Sequence, residues 1–342
     1  MWTCAQNPLN VSTAMCDGEQ CAPRLVLSIV SVGYAAICLP FGVLFNLLIL
    51  SVNLHLKSSM QMPDVYFTNM AISGLTINIV VSMQLLSPHL LIWPLWTLNQ
   101  EICMGGFVLF NIAALVSTYS VTLLCLDYYI EVTVPHTYMS SAHNTKHVCQ
   151  FVWGGASLAS FACFLFLICN KLIEKVQECS RLQAKELGDG IILFTGFVVP
   201  AAGMIYAFHL LMTIRKEQPI FPQSSSILDP SSRRLALTVL LVDFVLWLPY
   251  YATLLVDVLQ ASFAFGIQLQ NSDLFQLIKR LSELTAYAST LVIPLIYRTQ
   301  RKNFNSRLKQ FFGDMWKSIK YGCRTQSEHQ QDDLHTDSII QT

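Results

Sequence analysis

Asp127-Tyr128-Tyr129 is a carboxylate followed by two phenols at the end of a long apolar stretch. A tyrosine hydroxyl donates a hydrogen bond but carries no positive charge near neutrality, so Asp127 finds no ion-pair partner within this triplet. A second carboxylate, Asp243, stands inside another apolar run that also holds Trp247 and Pro249. A proline inside a helix frees a backbone carbonyl and bends the chain. A tryptophan beside that bend can register whatever fills the neighbouring space. Lys279, Arg280 and Glu283 form a third group, in which Lys279 and Glu283 share a helical face. These groups suit binding and switching rather than bond-making. The chain contains no His-Glu-x-x-His, no Gly-x-Ser-x-Gly and no P-loop. It shows no paired, interrupted repeats of the transporter kind either. Neither an enzyme nor a bound cofactor is expected.

The elements that must position these groups are set by composition. Only 12% of the 342 residues are charged, about half the share of soluble proteins, and the mean hydropathy is +0.48. A bilayer core needs about 20 apolar residues per helix. Seven stretches qualify: Leu25–Val52, Asp64–Ile92, Ile102–Val132, Lys146–Cys169, Glu186–Ile214, Arg233–Val258 and Leu274–Tyr297. They are too long for barrel strands, and only helices or closed barrels satisfy backbone groups in lipid. The expected fold is an all-α integral membrane bundle of seven helices. Beyond it, Arg301–Lys320 alternates basic and apolar residues, with Phe304, Leu308, Phe311, Phe312 and Met315 near one face. This predicts an amphipathic helix on the membrane surface, its Lys and Arg toward lipid headgroups. The expected organisation is therefore an outer N-terminal segment over residues 1–24, the bundle over 25–299, the surface helix over 300–320, and a polar, disordered tail over 321–342.

Charge distribution orients the chain. The formal net charge is +0, so no nucleic-acid partner is expected. Lys and Arg are denser on the side of the C-terminal segment, which holds Arg298, Arg301, Arg307 and Lys309. The positive-inside rule then puts the C-terminus in the cytoplasm and the N-terminus outside. The first 23 residues hold no apolar core of a signal peptide, so the first helix is expected to direct insertion. Asn10-Val11-Ser12 is a glycosylation sequon on the outer side. Cys4, Cys16, Cys21, Cys103 and Cys179 fall on the same oxidising side. Cys323, just past the surface helix, is a palmitoylation candidate.

Phe244-Val245-Leu246-Trp247-Leu248-Pro249-Tyr250 resembles the F-x-x-C-W-x-P-Y motif of rhodopsin-like (class A) G-protein-coupled receptors, with Leu246 for cysteine. Ile293-Pro294-Leu295-Ile296-Tyr297 resembles N-P-x-x-Y, and Asp127-Tyr128-Tyr129 takes the place of Asp-Arg-Tyr. Asn46, Trp96, Cys103, Pro135, Tyr138, Trp153, Pro200 and Phe304 follow at the family's spacing. The resemblance covers about Leu25 to Lys320 and looks closest to a small orphan subgroup, notably around Met62-Pro63-Asp64-Val65-Tyr66.

The resemblance implies a plasma-membrane receptor that passes an outer ligand's signal to a G protein or arrestin. It pairs Cys103 with Cys179, a closure that the chain-entropy picture values at about 4–5 kcal/mol. Phe110, where amine receptors carry an aspartate, argues against an amine. Asn111, Trp247, Tyr250 and Tyr251 are implied pocket walls, and the rim of Lys279, Arg280 and Glu283 favours a peptide or anionic small molecule. Asp127, Tyr128, Tyr129, Phe244, Trp247, Pro249, Pro294 and Tyr297 are the implied switch. The family's sodium position has Gly74 for its aspartate and Ile293 for its asparagine, so the usual metal site is expected to be absent, although Ser117 remains. The missing arginine at Tyr128 raises an alternative: a scavenger, decoy or scaffold of the same fold with weak or no coupling.

Overall fold

A computed structural model describes residues 21–56, 60–86, 100–133, 142–171, 184–213, 230–263, 273–301 and 304–318. Among them every regular element is helical. Helix α1 spans Cys21–His55, α2 Met62–Leu86, α3 Gln100–Thr133 and α4 Ala142–Lys171. Helix α5 runs from Ala184–Leu193 through a π turn at Phe194–Val198 into Val199–Thr213. Helix α6 spans Pro230–Phe263, and α7 comprises Asp273–Tyr287 and Ser289–Gln300. Residues 304–318 form α8.

Six of these helices, α1 to α6, are long and apolar enough to cross a membrane by length and composition. The seventh is divided at Ala288, so neither half reaches the length by itself. The bounds lie close to the stretches read from hydropathy. One difference is at the start: α1 begins at Cys21, within the segment expected to precede the bundle. Pro23 is tolerated there because N–H groups of a first turn have no intrahelical partner.

Helices α2 and α3 form the centre. In each, 72% of the apolar window is buried, against 22% in α4 and in α5, which face outward. Packing between membrane helices relies on close fit and on hydrogen bonds rather than on apolar burial, since lipid is as apolar as leucine. The polar side chains accordingly link helices. Trp153 of α4 donates to Asn69 of α2 at 2.7 Å, and Asn69 donates to Ser120 of α3 at 2.7 Å. Asn46 of α1 donates to the Thr290 carbonyl of α7 at 2.7 Å. Tyr119 of α3 donates to the Thr195 carbonyl of α5 at 2.9 Å.

That last contact sits on the π turn. Pro200 has no N–H, so the Gly196 carbonyl cannot form the ordinary helical bond, and the backbone widens by one residue. Gly196 is required at this point: a Cβ there would come 2.6 Å from the Tyr251 hydroxyl of α6.

In α8 the apolar residues divide between two directions. Phe304 is fully buried, and Leu308 and Phe311 pack on the bundle, whereas Phe312, Met315 and Trp316 are exposed. The single apolar face expected from the sequence is thus split, one part docking on the bundle and the other left exposed.

Candidate functional site

The bundle carries two polar or aromatic centres, one at each end, with a carboxylate between them. The first lies near α8. Asp64, in the first turn of α2, is fully buried. Arg307 donates to its Oδ2 at 2.8 Å, and Arg301 Nε stands 3.2 Å from Oδ1. The Tyr297 hydroxyl donates to Oδ1 at 2.8 Å. Arg301 also donates to Gln61 at 2.6 Å. One carboxylate therefore gathers the end of α7, the turn after it and α8. The Tyr297 ring is held by Phe67 at 4.2 Å and Phe304 at 5.3 Å between centroids.

Two residues along α2, Tyr66 serves the other switch residue. Its hydroxyl donates to Asp127 Oδ2 at 2.5 Å. Both groups are buried. The carboxylate that has no arginine beside it is thus held by a phenol from the next helix. Tyr128 turns into the core formed with Leu124, Leu211, Val239 and Tyr297. Tyr129 is only partly buried. Phe208, where the family has a tyrosine, packs at the edge of the same core. Removing the hydroxyl by Tyr66→Phe should lower stability by about 1.5–3 kcal/mol, the range for a hydrogen bond to a charged group that stays buried. Thermal unfolding of the purified chain measures this.

The second centre lies at the far end. Phe110 is fully buried, with Trp247, Tyr250 and Tyr287 around it at 6.3, 6.4 and 5.5 Å between centroids. Tyr251 continues the cluster, 5.9 Å from Trp247 and 5.2 Å from Phe197. Edge-on and offset pairs of this kind prefer 4.5–7 Å and add about 0.5–1.5 kcal/mol each. Asn111 is buried and donates to the Phe107 carbonyl at 2.9 Å, so its amide serves its own helix. The rim cations are engaged within the chain: Lys279 pairs with Asp257 of α6, and Arg280 donates to Glu283 at 2.7 Å. Lys279 and Glu283 share a face but take different partners, and Asp257 did not figure among the sequence candidates.

Between the two centres the motif register changes one assignment. In F-x-x-C-W the phenylalanine stands four residues before the tryptophan, and here that residue is Asp243, not Phe244. Asp243 is fully buried, while Phe244 is partly buried and stacks on Phe197 at 6.1 Å. A direct count back from Trp247 finds it.

The family's sodium position is rebuilt. A small cavity is lined by Asn46, Met70, Gly74, Ser117, Thr290 and Ile293. The space that a side chain on Gly74 would use is taken by Asn46, whose Oδ1 lies 2.8 Å from an ideal Cβ there. Asn46 is fixed by donating to the carbonyls of Gly42 and Thr290, both at 2.7 Å. Pro294 is buried behind Ile293. Among the described residues no three His, Cys, Asp or Glu side chains converge to hold a metal.

Asn10, Cys179 and Cys323 lie outside the described residues, and so do Trp96, Pro135 and Tyr138. Cys103 lies in the first turn of α3, but its pairing with Cys179 lies outside the described residues too.

Residues 45–297 match the profile of the 7 transmembrane receptor (rhodopsin family). A Xenopus laevis protein named G-protein coupled receptor 146 is 44% identical over 311 residues, covering 91% of this chain and 93% of the relative. The Mus musculus protein of the same name is 41% identical over 316 residues, covering 92% and 94%. The Homo sapiens G-protein coupled estrogen receptor 1 is 25% identical over 285 residues, covering 81% and 73%.

Proposed function

The chain belongs to the rhodopsin family of seven-transmembrane receptors, and from that premise we propose that it carries the signal of an extracellular ligand to a G protein or arrestin. It is a multi-pass membrane receptor, not an enzyme. The N-terminus lies outside and the C-terminus in the cytoplasm of a cell whose plasma membrane holds the bundle. The Asp64 end then faces the transducer, and the Phe110 end faces the ligand. Residues 1–24, 25–299, 300–320 and 321–342 act as outer segment, bundle, surface helix and tail.

The observation that carries this reading is the seating of Trp247. It stands between the aromatic cluster around Phe110 and the buried Asp243, two residues from Pro249. A ligand that displaces the cluster presses on the one large side chain beside the bend of α6. The names of the two relatives above 40% identity agree with coupling to G proteins. The ligand is a peptide or an anionic small molecule rather than an amine, because Phe110 offers no carboxylate to an ammonium group. The pairing of Lys279 with Asp257 and of Arg280 with Glu283 means that an anionic ligand must exchange these partners on entry.

Basal and ligand-driven cAMP, calcium, phosphoinositide and arrestin recruitment in transfected cells test the proposal. Silence in all of them overturns it. A second reading, a scavenger or scaffold without coupling, is favoured by one feature: Tyr128 stands where the family's arginine meets the G protein. Tyr128→Arg separates the two. On the receptor reading the arginine competes with Tyr66 for Asp127, and basal coupling should change several-fold. Unchanged coupling would show that the residue carries no weight in transduction.

A further inference from the structure

Arg298 is an exposed residue two positions before the end of α7. Its guanidinium carbon lies 5.5 Å from the centre of the Phe45 ring of α1, within the reach of a cation held over an aromatic face. Phe45 stands ten positions before the end of α1, so the side chain is turned along the bundle instead of out past its end. An arginine near a membrane surface ordinarily carries its charge out to water. This one is kept against the wall of the bundle. The ion pairs among the described residues engage His55, Lys279, Arg280, Arg301 and Arg307, and none of them includes Arg298.

The surface beside the guanidinium is apolar. Phe41 stacks on Phe45 at 6.4 Å between centroids, and Ile37, Phe41 and Leu44 of α1 are exposed. Helix α1 thus presents an apolar track that ends at a cation. A charge facing lipid is costly unless an anion neutralises it, and here the anion must come from outside the described residues. A phosphate is the anion that a planar guanidinium grips with two parallel N–H bonds. In a phospholipid it arrives with acyl chains that suit the track. We propose that the lipid-facing seam between α1 and the second half of α7 binds one anionic phospholipid, its phosphate on Arg298 and an acyl chain along Phe41 and Leu44.

With the C-terminus in the cytoplasm, the track runs from Arg298 toward the middle of the bilayer, as the chain of an inner-leaflet lipid does. That leaflet is also the one that carries anionic headgroups. Only this choice of leaflet rests on the proposed orientation. Arg298 follows directly on Tyr297, whose hydroxyl is tied to Asp64. A lipid bound only when α1 and α7 meet stabilises that arrangement by mass action and opposes displacement of Tyr297.

The test uses the full chain in lipid nanodiscs and follows thermal unfolding as phosphatidylglycerol replaces phosphatidylcholine. The wild type should gain stability saturably, and R298Q should lose that gain. R234Q, which removes the same charge from an exposed position of α6, should keep it. F45L, which removes the ring that holds the guanidinium, should shift the half-point several-fold toward more phosphatidylglycerol. Equal responses of wild type and R298Q overturn the site. An equal loss in R298Q and R234Q, the mark of diffuse charge, overturns it too. Glycerol phosphate added to the detergent-solubilised chain should give no gain; a gain matching that of the lipid overturns the lipid as occupant. Should R298Q fail to fold, an F45L curve lying on the wild-type curve overturns the proposal as well. The measurement needs neither ligand nor transducer, so a negative signalling assay leaves this result intact.

Discussion

Asp64→Ala should be among the most damaging single substitutions in the chain, lowering stability by about 3–5 kcal/mol. The magnitude is that of removing one partner from a buried ion pair. Side-chain exposure is 1% at Asp64 and 13% at each of Arg301 and Arg307, so the two guanidinium groups would stay largely buried with their shared anion gone. Tyr297 would lose its 2.8 Å bond in the same step. Asp64→Asn is the informative control, since it keeps an oxygen for Tyr297 and removes the charge. Thermal unfolding of the three proteins side by side checks the order: wild type, then Asn, then Ala. In cells the Ala variant should also change basal signalling, because Tyr297 and α8 would no longer be tied to α2.

Gly74→Asp, which restores the family's acid, should cost at least about 3 kcal/mol and should not restore a sodium site. The new Cβ would stand 2.8 Å from Asn46 Oδ1 and 3.1 Å from its Cγ. Asn46 cannot step aside cheaply, because its amide spans two carbonyls at 2.7 Å. Overpacking of this kind costs about 1–3 kcal/mol. The carboxylate adds a further cost, since Asn46 turns its amide oxygen toward the space and no Lys, Arg or His lines the cavity to offset the charge. Gly74→Ala should show the packing cost without the charge. A Gly74→Asp chain as stable as wild type, with a sodium-dependent unfolding temperature, would show that Asn46 yields and that Ile293 is no obstacle.

The helices and their order could be read from the sequence because a bilayer demands long apolar runs, and nothing else in the chain imitates them. The family could be read from ordered landmarks such as Asn46, Trp153, Pro200 and Pro249. The aromatic cluster around Phe110 gathers residues that the resemblance names as pocket walls. What could not be read depends on distance along the chain. Asp64 meets Tyr297 and Arg307 across 233 and 243 positions, and no local pattern records such a pairing. Tyr66 and Asp127 are separated by 61 positions. Asp64 and Tyr66 did stand out, but only as marks of resemblance, because an acid at a helix start has an ordinary explanation in the helix dipole. The rim cations illustrate the converse. Lys279 and Glu283 share a face, yet Lys279 takes Asp257 from α6 instead, since helix spacing says which residues can meet and not what the adjacent helix offers.

The break in α7 has a pharmacological consequence. At Ala288 the carbonyl is shared: Leu291 N–H adds a 3₁₀-type bond at 3.0 Å beside the ordinary helical bond from Val292 N–H at 2.9 Å. Tyr287 on one side donates to Gln84 of α2 at 3.2 Å, and Thr290 on the other donates to Asn78 at 2.9 Å. Each half is thus fastened to the same neighbour, α2, with Ala288 between them. The halves are also tied to each other, since the Thr290 hydroxyl donates to the Tyr287 carbonyl at 2.9 Å, and the second half is held further by Asn46 and Asp64. On the proposed orientation, affinity and efficacy should draw on different halves of this helix. Substitutions over 273–287 should move the concentration at which a ligand acts, and those over 289–300 the size of the response it evokes. For such a receptor, a tightly binding compound with no efficacy is the natural product of contacts confined to the outer half.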